Sequence, residues 1–177
     1  QMCIRDRSYS PYGVMKRVGE MYTKSLGGLI VHFWNVYGIE KDMEKAHVIT
    51  DFISKGFEKG VIEMMTDGNE ERQFLYAEEC CKALKIIMKK YDQFKSDDPL
   101  HITSFKNSSI LEVAEVIQDL FLEEGKQVQI IPSNSTDTVQ LDKKNKANTF
   151  ILDWWQPKTT LRAGIKKIFE EMKNDWV

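Results

Sequence analysis

Tyr12 and Lys16 stand four residues apart in Ser10-Pro11-Tyr12-Gly13-Val14-Met15-Lys16. On a helix this spacing brings a phenol and an ammonium onto one face. A phenol in water has a pKa near about 10 and is a poor base at neutral pH. A neighbouring cation favours the phenolate, and each unit of lowering corresponds to about 1.4 kcal/mol. Such a pair suits moving a proton on and off a sugar or alcohol hydroxyl. The same spacing also arises by chance in many helices, so the elements around it must decide whether it does chemistry.

The chain has 177 residues, of which 42% are hydrophobic, enough for one domain with a substantial core. A net charge of -2 argues against nucleic acid as a partner. The lysines are interspersed with acids and read as solvated helix faces. No apolar run reaches bilayer length, so no membrane partner is expected. Residues 1–7, Gln1-Met2-Cys3-Ile4-Arg5-Asp6-Arg7, are neither an initiator-Met start nor a secretory signal and read as a non-native leader. Residues 8–177 are expected to carry the fold. Cys80 and Cys81 are adjacent, which suits helix packing in a reduced, cytoplasmic setting. The histidines and cysteines lack metal-ligand spacing, so no metal is expected.

The periodicity predicts a helix over 9–26, with Tyr12, Met15, Val18 and Tyr22 as its stripe and Gly27-Gly28 as its stop. Leu29 to Trp34 is an apolar run interrupted by His32, which predicts a strand buried on both faces of a parallel sheet. Asn35-Val36-Tyr37-Gly38 is expected to leave that strand as a loop. A helix over 43–59, a strand over 61–65, a turn at 66–69 and a returning strand over 72–76 follow. Next come a helix over 77–91 and a strand over 100–104. Ser109 and Glu112 form a capping box for a helix bearing Ile110, Val113, Ile117 and Phe121. A strand over 128–131, a polar stretch over 133–149 and a helix from 159 or 160 complete the reading. Alternating strands and helices make this an α/β protein. It opens on a helix whose packing partners are expected upstream.

Five segments in order carry a resemblance. They are Tyr12-Gly13-x-x-Lys16 with Glu20, Phe33-Trp34-Asn35-Val36-Tyr37-Gly38, His47-Val48-Ile49-x-x-Phe52, Asp67-Gly68-x-x-x-Arg72-x-x-x-Tyr76, and Trp155-x-Pro157-x-x-x-Leu161-x-x-Gly164-Ile165. Together they resemble the NAD-dependent epimerase/dehydratase family, extended short-chain dehydrogenases acting on nucleotide sugars. The resemblance spans about residues 8–173. It implies the C-terminal part of an NAD(P)-binding Rossmann fold joined to a smaller mixed α/β substrate-binding domain.

On this resemblance Tyr12 is the catalytic acid/base, and Lys16 binds the nicotinamide ribose beside it. Tyr37 is either a cofactor-loop residue or a core residue. Asn35 and Arg72 are implied to hold the sugar diphosphate, and Val48 to lie by the nucleotide base, although helical spacing also explains Val48 as core. NAD or NADP is the implied cofactor and a nucleotide sugar the implied substrate. A homodimer through the Tyr12 helix is implied for the full-length enzyme. The family's Gly-rich turn and its catalytic Ser or Thr do not occur here, so the expectation is a truncated chain, inactive by itself. Two departures stand out. His32 replaces an arginine common among relatives, and Ser133-Asn134-Ser135-Thr136-Asp137 lacks a second phosphate-binding arginine. An alternative reading is therefore a superfamily reductase acting on a non-nucleotide carbonyl substrate. A non-catalytic fragment is another.

Overall fold

The computed structural model describes residues 11–94, 98–137 and 146–175. The leader at 1–7 and the middle of the 133–149 stretch lie outside them. Helix α1 (Pro11–Ser25) closes on Gly27, whose φ of 72° is left-handed backbone that glycine adopts without strain. The expected stripe is not covered among the described residues. Tyr12, Met15 and Tyr22 are exposed, and Gly13 is the buried residue of this helix.

The run expected as one strand is two. Strand β1 (Val31–Phe33) pairs in parallel with β6 (Leu100–Ile102), and β2 (Asn35–Tyr37) pairs in parallel with β5 (Phe74–Tyr76). The expected loop at 35–38 is thus strand as far as Tyr37. The ladder changes partner at Trp34, whose N–H reaches Ile102 O at 3.4 Å, while the next N–H, of Asn35, reaches Gln73 O at 3.3 Å. Nor is the first piece buried on both faces, since Phe33 is 45% exposed.

The 72–76 segment does not return along the preceding strand. Strand β3 (Val61–Glu63) pairs in parallel with β8 (Gln129–Ile131), whereas β4 (Glu71–Arg72) pairs antiparallel with β7 (Ser108–Ser109). Gly68, with φ 80°, turns the chain so that its carbonyl accepts from Leu111 N–H at 3.0 Å, which directs the chain toward the start of a helix instead of a hairpin.

Helix α2 (Val48–Lys59) is preceded by a 3-10 turn (Met43–Lys45). The expected continuous helix breaks at His47, whose extended backbone donates its N–H to Glu40 Oε2 at 2.8 Å. Helices α3 (Ala77–Lys89), α4 (Ile110–Glu123) and α5 (Leu161–Asp175) follow. Ser109 caps α4 by accepting from Glu112 N–H at 2.9 Å, and Thr160 accepts from Ala163 N–H at 3.2 Å at the start of α5.

Helices α2, α4 and α5 enclose the larger core. Phe57, Phe121 and Phe169 meet there with ring centroids 4.8–5.2 Å apart. Gly56 permits the approach, because a Cβ there would lie 2.2 Å from the Phe121 ring. A second core gathers Leu75, Ala83, Ile87, Phe94, Leu100 and Ile151 around α3 and β6. Buried Glu79 joins the two regions. It accepts from Thr159 Oγ1 at 3.0 Å and from Lys82 Nζ at 2.8 Å. Burial pushes its pKa up, but these bonds and the Lys158 N–H outweigh that and hold it below the ordinary value. Cys80 packs in the core, and burial, with Cys81 beside it, raises its thiol to about 11. Cys81 is exposed, so the helix-packing role applies to Cys80 and not to its neighbour.

Candidate functional site

Tyr12 and Lys16 occupy successive turns of α1. The Lys16 ammonium lies over the Tyr12 ring, 5.3 Å from its centroid, so the two side chains share a face. Tyr12 is 58% exposed. Lys16 makes no hydrogen bond or ion pair among the described residues, which leaves its donors available.

The helix is held from its middle and its end. Glu20 Oε2 accepts from Arg17 at 3.0 Å, while Glu20 Oε1 meets His32 Nε2 of β1 at 2.8 Å. Tyr91 Oη donates to Gly27 O at 2.6 Å. His32, the departure from arginine, is therefore the strand's link to α1. Its ring stacks on His101 at 5.3 Å, and Trp34 flanks His101 at 5.8 Å. Burial, and then the neighbouring His32, push His101 down to about 4. Asn148 N–H donates to its Nδ1 at 3.2 Å, a bond that requires that nitrogen to be unprotonated.

Two residues beyond Phe33, Asn35 opens β2. Its side-chain amide has no partner among the described residues. Its backbone N–H reaches the carbonyl of Gln73, the residue that follows Arg72. Gln73 is itself buried and accepts from Thr103 Oγ1 at 3.0 Å, which anchors this crossing point. Arg72 donates from Nη1 to Glu71 O at 3.0 Å. Its Nη2 pairs with Asp137, and the two side chains are 17% and 13% exposed. Sequence reasoning singled out Arg72 and the missing second arginine, but not the Asp137 partner. The two lie 65 residues apart, and no spacing rule joins them.

Tyr37 and Val48 both pack with the larger core. Tyr37 is buried between Phe74 and Tyr76, with ring centroids at 6.3 and 5.7 Å. Its hydroxyl donates to Leu161 O at 3.4 Å, and burial raises its pKa. The phenol thus serves α5. Val48, the first residue of α2, packs against the larger core. Among the described residues no group of three His, Cys, Asp or Glu is arranged to hold a metal. No helix among them is long and apolar enough to cross a membrane.

The geometry offers a phenol with an adjacent ammonium on α1, an amide on β2 and a guanidinium on β4. A proton donor/acceptor and an anion grip are the chemistry these groups can supply.

Comparison with known proteins bears on this arrangement. The model of the NAD dependent epimerase/dehydratase family matches residues 3–102. A protein of Methanocaldococcus jannaschii named "Putative UDP-glucose 4-epimerase" is 30% identical over 174 residues, covering 94% of this chain and 54% of that protein. The GDP-L-fucose synthase of Sinorhizobium fredii is 26% identical over 172 residues, covering 90% and 53%. The crystal structure of a UDP-glucose 4-epimerase with UDP-glucose from Thermotoga maritima superposes with a TM-score of 0.76 at 20% identity, over 95% of this chain and 55% of that one. The chain spans about half the length of the curated relatives it matches. The likeness in structure shows a shared Rossmann-type α/β fold.

Proposed function

The chain belongs to the NAD dependent epimerase/dehydratase family, and on that footing we propose that it carries the acid/base and diphosphate-binding half of a nucleotide-sugar epimerase or dehydratase. The observation that carries this reading is the pairing of Tyr12 with Lys16 on a helix clasped to β1 by Glu20 and His32. That strand runs directly into Asn35, whose backbone is bonded beside Arg72.

In this reading the sugar diphosphate lies across the Asn35 amide and the Arg72 guanidinium, whose planar fork suits phosphate oxygens. The Tyr12 hydroxyl takes the proton from a sugar hydroxyl, or returns it, as the carbon beneath is oxidised or reduced. Lys16 stabilises the phenolate and offers donors to a ribose. The available phenol and ammonium fit a nicotinamide nucleotide, and the chemistry such a cofactor supplies when bound is hydride acceptance and return.

Replacing Tyr12 with Phe in the full-length protein is expected to lower kcat by about 10²–10⁴-fold with nucleotide sugars while leaving UDP affinity unchanged. Undiminished turnover would remove Tyr12 from the mechanism. A second reading, a reductase of a non-nucleotide carbonyl compound, is favoured by the Asp137 carboxylate on Arg72 and by the absence of arginine over 133–137. Under that reading Arg72→Ala leaves substrate binding unaltered.

A further inference from the structure

Tyr12, Lys16 and Glu20 follow one another at helical spacing along α1, so they fall on one face of the helix. The last of them grips the sheet. Glu20 Oε1 meets His32 Nε2 of β1 at 2.8 Å, and the two side chains are 14% and 25% exposed. We propose that His32 is a positioning residue whose protonation sets how firmly α1, and Tyr12 with it, is held to β1. The hold tightens as pH falls and slackens as pH rises. This inference rests on the reading of Tyr12 as the acid/base.

The charges around the bond decide its sign. On α1, Arg17 Nη1 donates to the other oxygen of Glu20, Oε2, at 3.0 Å. That bond favours the carboxylate and leaves Oε1 to His32. On β6, His101 stands in register with His32 and stacks on it, with ring centroids 5.3 Å apart. Burial, and then His32, bring His101 down to about 4 against the opposing pull of Asp98. His101 is therefore neutral near neutral pH, and its Nδ1 accepts from Asn148 N–H at 3.2 Å. A protonated His32 thus meets a carboxylate on one side and an uncharged ring on the other. The pair is shielded from water, where a charge-assisted hydrogen bond is screened less than at a surface. A neutral imidazole keeps at most the hydrogen bond from Nε2–H and gives up the ion pair.

An imidazole ordinarily changes charge between about pH 5 and 8, whereas a guanidinium stays charged throughout. The seated helix favours the protonated imidazole. The bond therefore contributes in full below the ordinary imidazole range and loses its ionic part as pH rises. Tyr12 lies about two turns back along the same hydrogen-bonded helix, so a shift at Glu20 is carried to it. On the other side, β1 leads through Trp34 into Asn35 of β2. The clasp thus couples the acid/base helix to the strand that carries the anion-binding amide.

The test compares wild type, His32→Arg and His32→Gln in the full-length protein at about pH 6 and 8, which span most of an imidazole's change in charge. Hydrogen exchange, corrected for the intrinsic pH dependence of amides, reads the hold on α1 through residues 14–25, with α4 as the reference for global opening. Protection of α1 relative to α4 is expected to fall about threefold in wild type between the two pH values. It is expected to stay level in His32→Arg, and level but low in His32→Gln, so either variant serves if the other does not fold. A wild-type ratio that does not fall, or variants that fall as wild type does, would overturn the proposal. The second readout is kcat with nucleotide sugars. The ratio of His32→Arg to wild type is expected to rise about threefold from pH 6 to 8, because Tyr12 is common to both and its own titration cancels. A level ratio would overturn the positioning of Tyr12 by His32. Undiminished turnover in Tyr12→Phe would instead overturn the acid/base reading, and exchange in α1, which needs no turnover, reports on the clasp separately.

Discussion

Against the opposing pull of Asp98, burial and the neighbouring His32 keep His101 uncharged. Its Nδ1 accepts a backbone N–H, its ring lies against His32 and Trp34, and its folded pKa sits at about 4 against an ordinary value of 6.5. Between those two values the unfolded chain binds a proton that the folded chain refuses, so stability falls as pH drops through that window. Carboxylates held low, such as Glu79, lose their contribution only below the ordinary carboxylate range. Urea unfolding of wild type and His101→Phe at pH 7.5 and pH 5, both chosen as roughly bracketing its window, separates this histidine from His32 and His47. His101→Phe is expected to lose less stability between the two than wild type does, and an equal loss would contradict the assignment. The residues of the candidate site were unequally legible. Tyr12 and Lys16 followed from spacing along one helix, and Val48 from helical periodicity. Tyr37 had two open roles, and its burial fits the packing one. The partners of His32 and Arg72 come from distant parts of the chain, and local pattern carries no trace of such pairs.

Elements were legible where their signals were local. The caps at Ser109 and Thr160 and the glycine stop at Gly27 sit where side-chain type and positive φ dictate. Strand extents were less legible, because an apolar run reports burial and not the neighbour with which it pairs. Hence 29–37 divides at Trp34, and the expected hairpin after 65 became strands bound to β7 and β2. Gly164 shows how an element is held by one close approach. A Cβ there would lie 2.0 Å from the Tyr37 hydroxyl and 2.9 Å from the ring carbon bearing it. Gly164→Ala is expected to destabilise the protein by about 1–3 kcal/mol through overpacking. Tyr37→Phe is expected to recover part of that loss, because it removes the nearer clash. Equal stability of Gly164→Ala and wild type in chemical denaturation would show that α5 does not depend on this contact.

At the scale of the molecule, the alternation of elements was enough for the α/β class, and the ordered motifs for the family. For α1 the sequence placed packing partners outside these segments, and its stripe of Tyr12, Met15 and Tyr22 is exposed among the described residues. The account's central claim is that three elements serve one substrate, α1 through Tyr12, β2 through Asn35 and β4 through Arg72. A crystal structure of the full-length protein with NAD and UDP-glucose tests it most directly. The account predicts the diphosphate on Asn35 and Arg72, with the Tyr12 hydroxyl within about 2.6–3.2 Å of a sugar hydroxyl. A diphosphate seated away from Arg72, or a sugar beyond reach of Tyr12, would contradict it.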